Sequence, residues 1–134
     1  MATPPLILVV DDEPHIVHVL SVKLRKAGFD VLCAMDGQAA LASALEHSPD
    51  LVITDYQMPL LNGGGLCDAL LHNKTTRDTP VVMLTARTHS IGEHDSHRSN
   101  IKAVIGKPFS PREVLKKVHE LLGTTPGWEA AKAS

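Results

Sequence analysis

Missing from this chain are a charge bias, a disulfide framework, a long apolar run and a nucleotide-loop motif, and each absence narrows what it does. With 13 basic and 15 acidic side chains the formal charge is -2, which supplies no footprint for nucleic acid or an anionic membrane. DNA binding by this chain alone is therefore not expected. The longest strongly apolar stretch, Leu6 to Val10, falls far short of a bilayer span, and Met1 to Pro5 carries no basic residue, so a soluble cytoplasmic chain is the default expectation. Two cysteines, Cys33 and Cys67, fit neither a disulfide framework nor a zinc ribbon. Each lies in an apolar pattern and is expected as a buried free thiol. No G-x-G-x-x-G follows the first apolar run and no Gly-Lys-Ser/Thr follows Gly63 to Gly65, which reads as a flexible turn rather than a phosphate cradle.

What is present is an alternation. At 134 residues and 43% hydrophobic, the chain has enough material for one ordinary domain with a substantial core. Leu6 to Val10 is a continuous apolar run ending in Asp11-Asp12-Glu13; Pro14 then suits the first turn of a helix carried by Ile16, Val17, Leu20 and Leu24 and stopped at Ala27-Gly28. Phe29 to Ala34 reads as a second strand. Asp36-Gly37 opens a second helix that ends at Ser48-Pro49. Leu51 to Asp55 is a buried strand tipped by a carboxylate, followed by a third helix bearing Leu66, Ala69, Leu70 and Leu71. Pro80 to Thr85 is a fourth strand and Lys102 to Gly106 a fifth, ending at Lys107-Pro108. Ser110 is placed to cap a last helix, with Pro111 at its first position and Val114, Leu115, Val118, Leu121 and Leu122 on its apolar face. Arg87 to Asn100 makes a poor amphipathic segment, read as a short frayed helix or a loop.

Strands alternating with helices predict an α/β fold: a doubly wound, flavodoxin-like, five-stranded parallel sheet with helices on both faces. Residues 1–5 are expected as an N-terminal extension, 6–122 as the domain, and 123–134, with Trp128, as a tail or linker. Right-handed crossovers put every strand's carboxyl end on one edge. That edge would gather Asp11, Asp12, Asp55, Thr85 and Lys107. Taken singly, the acids could complement a helix N-terminus, Asp55 could be a turn residue, Thr85 a strand end and Lys107 a solvated lysine. Together they form a coherent set. Converging carboxylates repel unless a divalent cation holds them, and all-oxygen ligands completed by water and phosphate suit magnesium rather than zinc. A carboxylate in such a site can attack phosphorus to form an acyl phosphate, with the Lys107 ammonium neutralising phosphoryl oxygens and Thr85 supplying a hydroxyl.

In order and spacing, Asp11-Asp12-Glu13, Asp55 with Met58-Pro59 and Gly63, Thr85-Ala86 and Lys107-Pro108-Phe109 resemble the receiver domains of two-component response regulators, over about Leu6 to Leu122. The resemblance implies that Asp55 accepts a phosphoryl group from a histidine kinase or a histidine phosphotransfer protein. It implies Mg2+ held by Asp12 and Asp55 directly, by Asp11 through water and by the main-chain carbonyl of Gln57. Lys107 would pair with the phosphoryl oxygens, Thr85 would hydrogen-bond them after a small loop shift, and Ala86 would leave room. It further implies a cis Lys107-Pro108 bond. The side chains of Gln57 and Arg87 flank the site and are expected to tune dephosphorylation by steering or blocking water. Output would pass by protein–protein contact to an unspecified downstream protein, from a monomer or a phosphorylation-linked dimer. Enzymatic content would be limited to slow loss of its own acyl phosphate.

The chain departs from the family pattern at Val104, where an aromatic switch residue usually sits, in the polar stretch 87–100, and at Asn100, where glycine is common and Asn is expected to tolerate a left-handed backbone. The alternatives are a degenerate receiver acting as a phosphorylation-independent interaction module, a magnesium-dependent aspartyl-phosphate phosphatase, and a flavin- or nucleotide-binding module. The phosphatase would want an Asp where Gln57 stands. The flavin or nucleotide module would want a hydroxyl- and glycine-rich loop where Asp11 to Glu13 stand.

Overall fold

The computed structural model describes residues 3–58, 60–86 and 99–124. Five strands, β1 (Leu6–Val10), β2 (Asp30–Ala34), β3 (Leu51–Asp55), β4 (Val81–Thr85) and β5 (Ile101–Gly106), form one parallel sheet in the order β2-β1-β3-β4-β5. Among the described residues, four helices connect and cover them: α1 (Pro14–Lys26), α2 (Gly37–His47), α3 (Gly63–Leu71) and α4 (Pro111–Leu122). This is the predicted doubly wound, flavodoxin-like architecture.

The unbroken apolar runs of β1, β3 and β4 follow from burial on both faces. Because side chains alternate across a strand, each run divides between two cores. Ile7, Val9, Leu51, Ile53, Val82 and Leu84 pack with Leu20 and Leu24 of α1 and Val114 and Val118 of α4. Leu8, Val10, Val52, Val81 and Met83 pack on the opposite face with Ala40 and Ala44 of α2 and Leu66 and Leu70 of α3. Each fully buried leucine or isoleucine contributes about 1.5–3 kcal/mol relative to exposure, so these strands are firmly held. Function is attached to their tips.

Local signals explain most of the boundaries. Asp36 caps α2 by accepting from the Ala39 N–H at 2.7 Å, and α1 begins at Pro14 and ends among Lys23, Arg25 and Lys26, which complement its negative end. The Lys107-Pro108 peptide is cis.

Several expectations need correction. Gly63 to Gly65 is not a flexible turn but the first turn of α3, capped by Asn62, whose side chain accepts from the Gly65 N–H at 2.8 Å. Cys33 is exposed, because β2 is an edge strand; its sulfur lies 3.1 Å from Ser21 Oγ, while Cys67 is buried as expected. Ser110 occupies the N-cap of α4 without making a side-chain cap bond. Asn100 has no left-handed backbone: outside glycine, positive φ occurs among the described residues at Ser48 and Leu60. Asn100 is instead buried, donating from Nδ2 to the Cys67 carbonyl at 3.0 Å. The stretch 87–98 and residues 125–134, including Trp128, lie outside the described residues.

Candidate functional site

In an open α/β sheet the strand order reverses at one point, and the crevice outside the carboxyl ends there is the natural binding position. Here that point lies between β1 and β3. Val10 is paired with Thr54, so the residues that follow, Asp11 and Asp55, leave the sheet side by side. On the other flank, Thr85 is paired with Gly106, and the Lys107 N–H donates to the Thr85 carbonyl at 2.7 Å, which fixes where the lysine side chain begins.

The side chains converge as the sheet edge predicts. Asp11, Asp12 and Asp55 each offer a carboxylate oxygen, all within 4.8 Å of one another. Lys107 Nζ donates to Asp11 Oδ2 at 3.0 Å and lies 3.4 Å from Asp55 Oδ1. Asp11 is fully buried and Asp55 nearly so, whereas Asp12 is exposed at the mouth. A cavity of about 250 Å³ lies over this cluster, lined by Asp12, Glu13, Asp55, Gln57, Thr85, Ala86 and Lys107. Six of those seven are site residues expected from the sequence. The seventh, Glu13, was read only as part of the acidic turn; its Oε1 is 3.7 Å from Lys107 Nζ. Arg87 lies outside the described residues.

The electrostatics are frustrated. Burial raises the Asp55 carboxyl above its ordinary range, and the negative Asp11 raises it further, while Lys107 and the Tyr56 backbone only partly offset the two. Burial by itself would depress the Lys107 ammonium. Its hydrogen bond to Asp11 and the charges of Asp55, Asp11 and Glu13 outweigh that and hold it above the usual value. One ammonium therefore serves several carboxylates, and the surplus negative charge fits a divalent cation. Oxygen donors without His or Cys match magnesium chemistry.

Gly63 is marked in the sequence by its place in the motif, and the structure shows the constraint it obeys. Its N–H donates to the Tyr56 carbonyl at 2.8 Å, and a Cβ there would lie 2.7 Å from the Asp55 carbonyl oxygen and 2.9 Å from both Tyr56 Cα and Met83 Sδ. The start of α3 thus rests directly on the strand tip that carries Asp55.

Comparison with known proteins gives a consistent result. The family model described as response regulator receiver domain matches residues 7–119. The chain is 36% identical over 121 residues to the DNA-binding dual master transcriptional regulator RpaA of Synechocystis, covering 90% of this chain and 50% of that protein. It spans about half the length of the curated relatives it matches. Among solved structures, the chemotaxis response regulator CheY4 of Vibrio cholerae superposes with a TM-score of 0.82 at 31% identity, covering 89% of this chain and 99% of that one. The response regulator TrrA of Thermotoga maritima, solved in complex with Mg(2+)-BeF, gives 0.77 at 32% identity, covering 87% and 98%. No helix among the described residues is long and apolar enough to cross a membrane.

Proposed function

The chain belongs to the response regulator receiver domain family, and from that membership we propose that Asp55 accepts a phosphoryl group from a histidine kinase or a histidine phosphotransfer protein in a magnesium-dependent reaction. One observation carries this reading: a nearly buried carboxylate, grouped with two others, has a lysine ammonium 3.4 Å from one of its oxygens. An Asp55 oxygen attacks phosphorus as the phosphorus–nitrogen bond to the donor histidine breaks, leaving an acyl phosphate on Asp55 and a neutral imidazole on the donor. Asp12 and Asp55 would hold the cation, with Asp11 and the main-chain carbonyl of Gln57 helping to complete its surroundings. Bound there, magnesium neutralises the carboxylates and the charge that develops on the phosphoryl oxygens. Lys107 leaves its carboxylate partners for a phosphoryl oxygen, Thr85 donates its hydroxyl to another, and small Ala86 leaves the approach open. The Gln57 and Arg87 side chains steer or block the water that ends the signal.

The chain acts in the cytoplasm by binding other proteins, as a monomer or a phosphorylation-linked dimer, and does not itself contact DNA. Relatives named as DNA-binding regulators are about twice as long, so their output is not carried over. Val104, 40% exposed where the family usually has an aromatic residue, bears on relay of the signal and not on the chemistry at Asp55; the second reading is an interaction module that works without phosphorylation.

Intact-protein mass after incubation with acetyl phosphate, with and without magnesium and alongside Asp55→Asn, separates the two readings. A single magnesium-dependent phosphoryl adduct, absent from the variant, is expected. Magnesium binding without an adduct would leave the interaction module.

A further inference from the structure

Glu13 stands at the N-cap of α1, yet its side chain makes no hydrogen bond to that helix's first turn. It turns to the cavity instead. Its Oε1 lies 3.7 Å from Lys107 Nζ and its Oε2 lies 3.6 Å from His15 Nε2. Lys107 Nζ is thus ringed by Asp11 at 3.0 Å, Asp55 at 3.4 Å and Glu13 at 3.7 Å. Glu13 is not one of the clustered carboxylates proposed to hold the cation, so metal binding gives no reason for its orientation.

We propose that Glu13 is a positioning residue for phosphoryl transfer, whose carboxylate tethers the Lys107 ammonium and opposes entry of an anionic phosphodonor. The proposal rests on the phosphoacceptor reading of Asp55. Lys107 must exchange carboxylate partners for phosphoryl oxygens, and every carboxylate that holds it competes with the incoming group. Beside Asp11 and Asp55, Glu13 is the third carboxylate held against Lys107, and the one outside the cation-holding cluster. Its negative charge also lies on the wall of the cavity over Asp55. Half of the Glu13 side chain faces solvent, so the effect is screened but not abolished. A unit charge several ångströms from a doubly charged donor, in a medium between water and protein interior, corresponds to about a fivefold change. For a singly charged donor the same field acts on half the charge, and the change falls to about twofold.

The test compares Glu13→Gln, Glu13→Asp and the unaltered chain at saturating magnesium and fixed ionic strength, reading second-order rate constants of adduct formation by intact mass. Acetyl phosphate, doubly charged, and phosphoramidate, singly charged, serve as donors. For Glu13→Gln the constant rises about fivefold with the first and about twofold with the second, with a melting temperature close to that of the unaltered chain. Glu13→Asp, which keeps the charge, stays within about twofold of the unaltered chain with both donors. A merely structural role would not sort the donors by charge. Unchanged constants for Glu13→Gln, an equal factor for both donors, or Glu13→Asp matching Glu13→Gln would each overturn the proposal while leaving Asp55 as phosphoacceptor. No adduct on the unaltered chain would remove the phosphoacceptor reading and this proposal with it.

Discussion

Gly63→Ala isolates the mechanical coupling between helix and site. The added methyl would meet the Asp55 carbonyl oxygen at 2.7 Å and Tyr56 Cα at 2.9 Å, both backbone, and Met83 Sδ at 2.9 Å within the core. Overpacking of this kind costs about 1–3 kcal/mol, and two rigid neighbours place the cost in the upper half. Alanine's better helix propensity returns at most about 1 kcal/mol, less at the first helical position. The net expectation is a loss of about 1–2 kcal/mol, or roughly 5 °C in melting temperature for a domain of this size. Relief of the clash requires the strand tip to withdraw by about half an ångström. Since a misplacement of about 1 Å can cost a hundredfold in rate, adduct formation on Asp55 should slow about tenfold.

Gly65→Ala is the control. Its Cβ would meet Leu61 Cδ1 at 2.6 Å, the end of a side chain that can rotate, and the next contacts are 3.4 Å and 3.6 Å. The melting temperature should hold or rise, by at most about 1 kcal/mol in stability, with adduct formation unchanged. Thermal melts and phosphorylation rates of the two variants check the reasoning together. If Gly63→Ala melts with the unaltered chain, or Gly65→Ala falls as far, close approach to the Asp55 strand tip is not what the glycine serves.

Asp55→Asn should stabilise the chain in chelator. Because the folded Asp55 carboxyl is raised above its ordinary 3.8, its contribution to stability is full below that value and is lost as pH rises through the folded one. The melting advantage of the variant should therefore widen from about pH 4 towards neutrality, and a constant difference would contradict the assignment. Magnesium at about a hundred times its dissociation constant should stabilise the unaltered chain by about 2.7 kcal/mol and Asp55→Asn by clearly less, read from melts across a titration. Lys107→Met strands the fully buried Asp11 carboxylate and should cost about 2 kcal/mol by denaturant unfolding, discounted from the buried-pair range because the site opens to solvent. The Lys107 ammonium is held above its ordinary 10.5, so its contribution is fully present below that value and disappears as pH rises through the folded one. Leu60→Asn should raise the melting temperature by a few degrees, since Leu60 is 71% exposed at φ 71 and asparagine relieves about 1 kcal/mol of left-handed strain; an unchanged melt would mean the loop relaxes around leucine.

The strands that carry the site were the most legible part of the sequence. Leu6–Val10 and Leu51–Asp55 have the bounds their apolar runs predict, because burial on both faces leaves no polar position to blur an end. Their acidic exits then reach one edge by topology alone. What escaped reading depends on neighbours distant in sequence. Cys33 looked buried until β2 proved to be an edge strand. The glycines of α3 looked like a turn because their helix propensity is poor, although Asn62 three residues before Gly65 was a readable cap. Asn100 reaches across to the Cys67 carbonyl, a pairing no local pattern signals. Glu13 would by local rules serve its own helix, and only the approach of Lys107 from the far end of the chain redirects it.

The same central strands supply the core and carry a cost in stability at their tips. Asp11 and Asp55 emerge side by side because Val10 and Thr54 are in register, and that register is fixed by side chains packed on both faces of the sheet. Their main chains cannot separate without shifting a strand, and shifting a strand by one residue would exchange the side chains fitted to the two cores. Repulsion at the edge is therefore held in place by burial in the interior, where each large side chain contributes more than a screened pair of like charges removes. A cation or a phosphoryl group that changes the charge at this edge acts on groups that cannot relax individually. The response falls to groups just beyond the strand ends, among the described residues the Lys107 side chain and Ala86, on the flank of β3 towards β4 and β5. Val104, paired with Met83 and 40% exposed, lies on that flank, on the edge strand β5. Chemistry at Asp55 and relay through β5 are in this way separable: a substitution at Val104 should alter partner binding while leaving the adduct on Asp55 intact, and a parallel loss of both would mean that the sheet transmits as one rigid body.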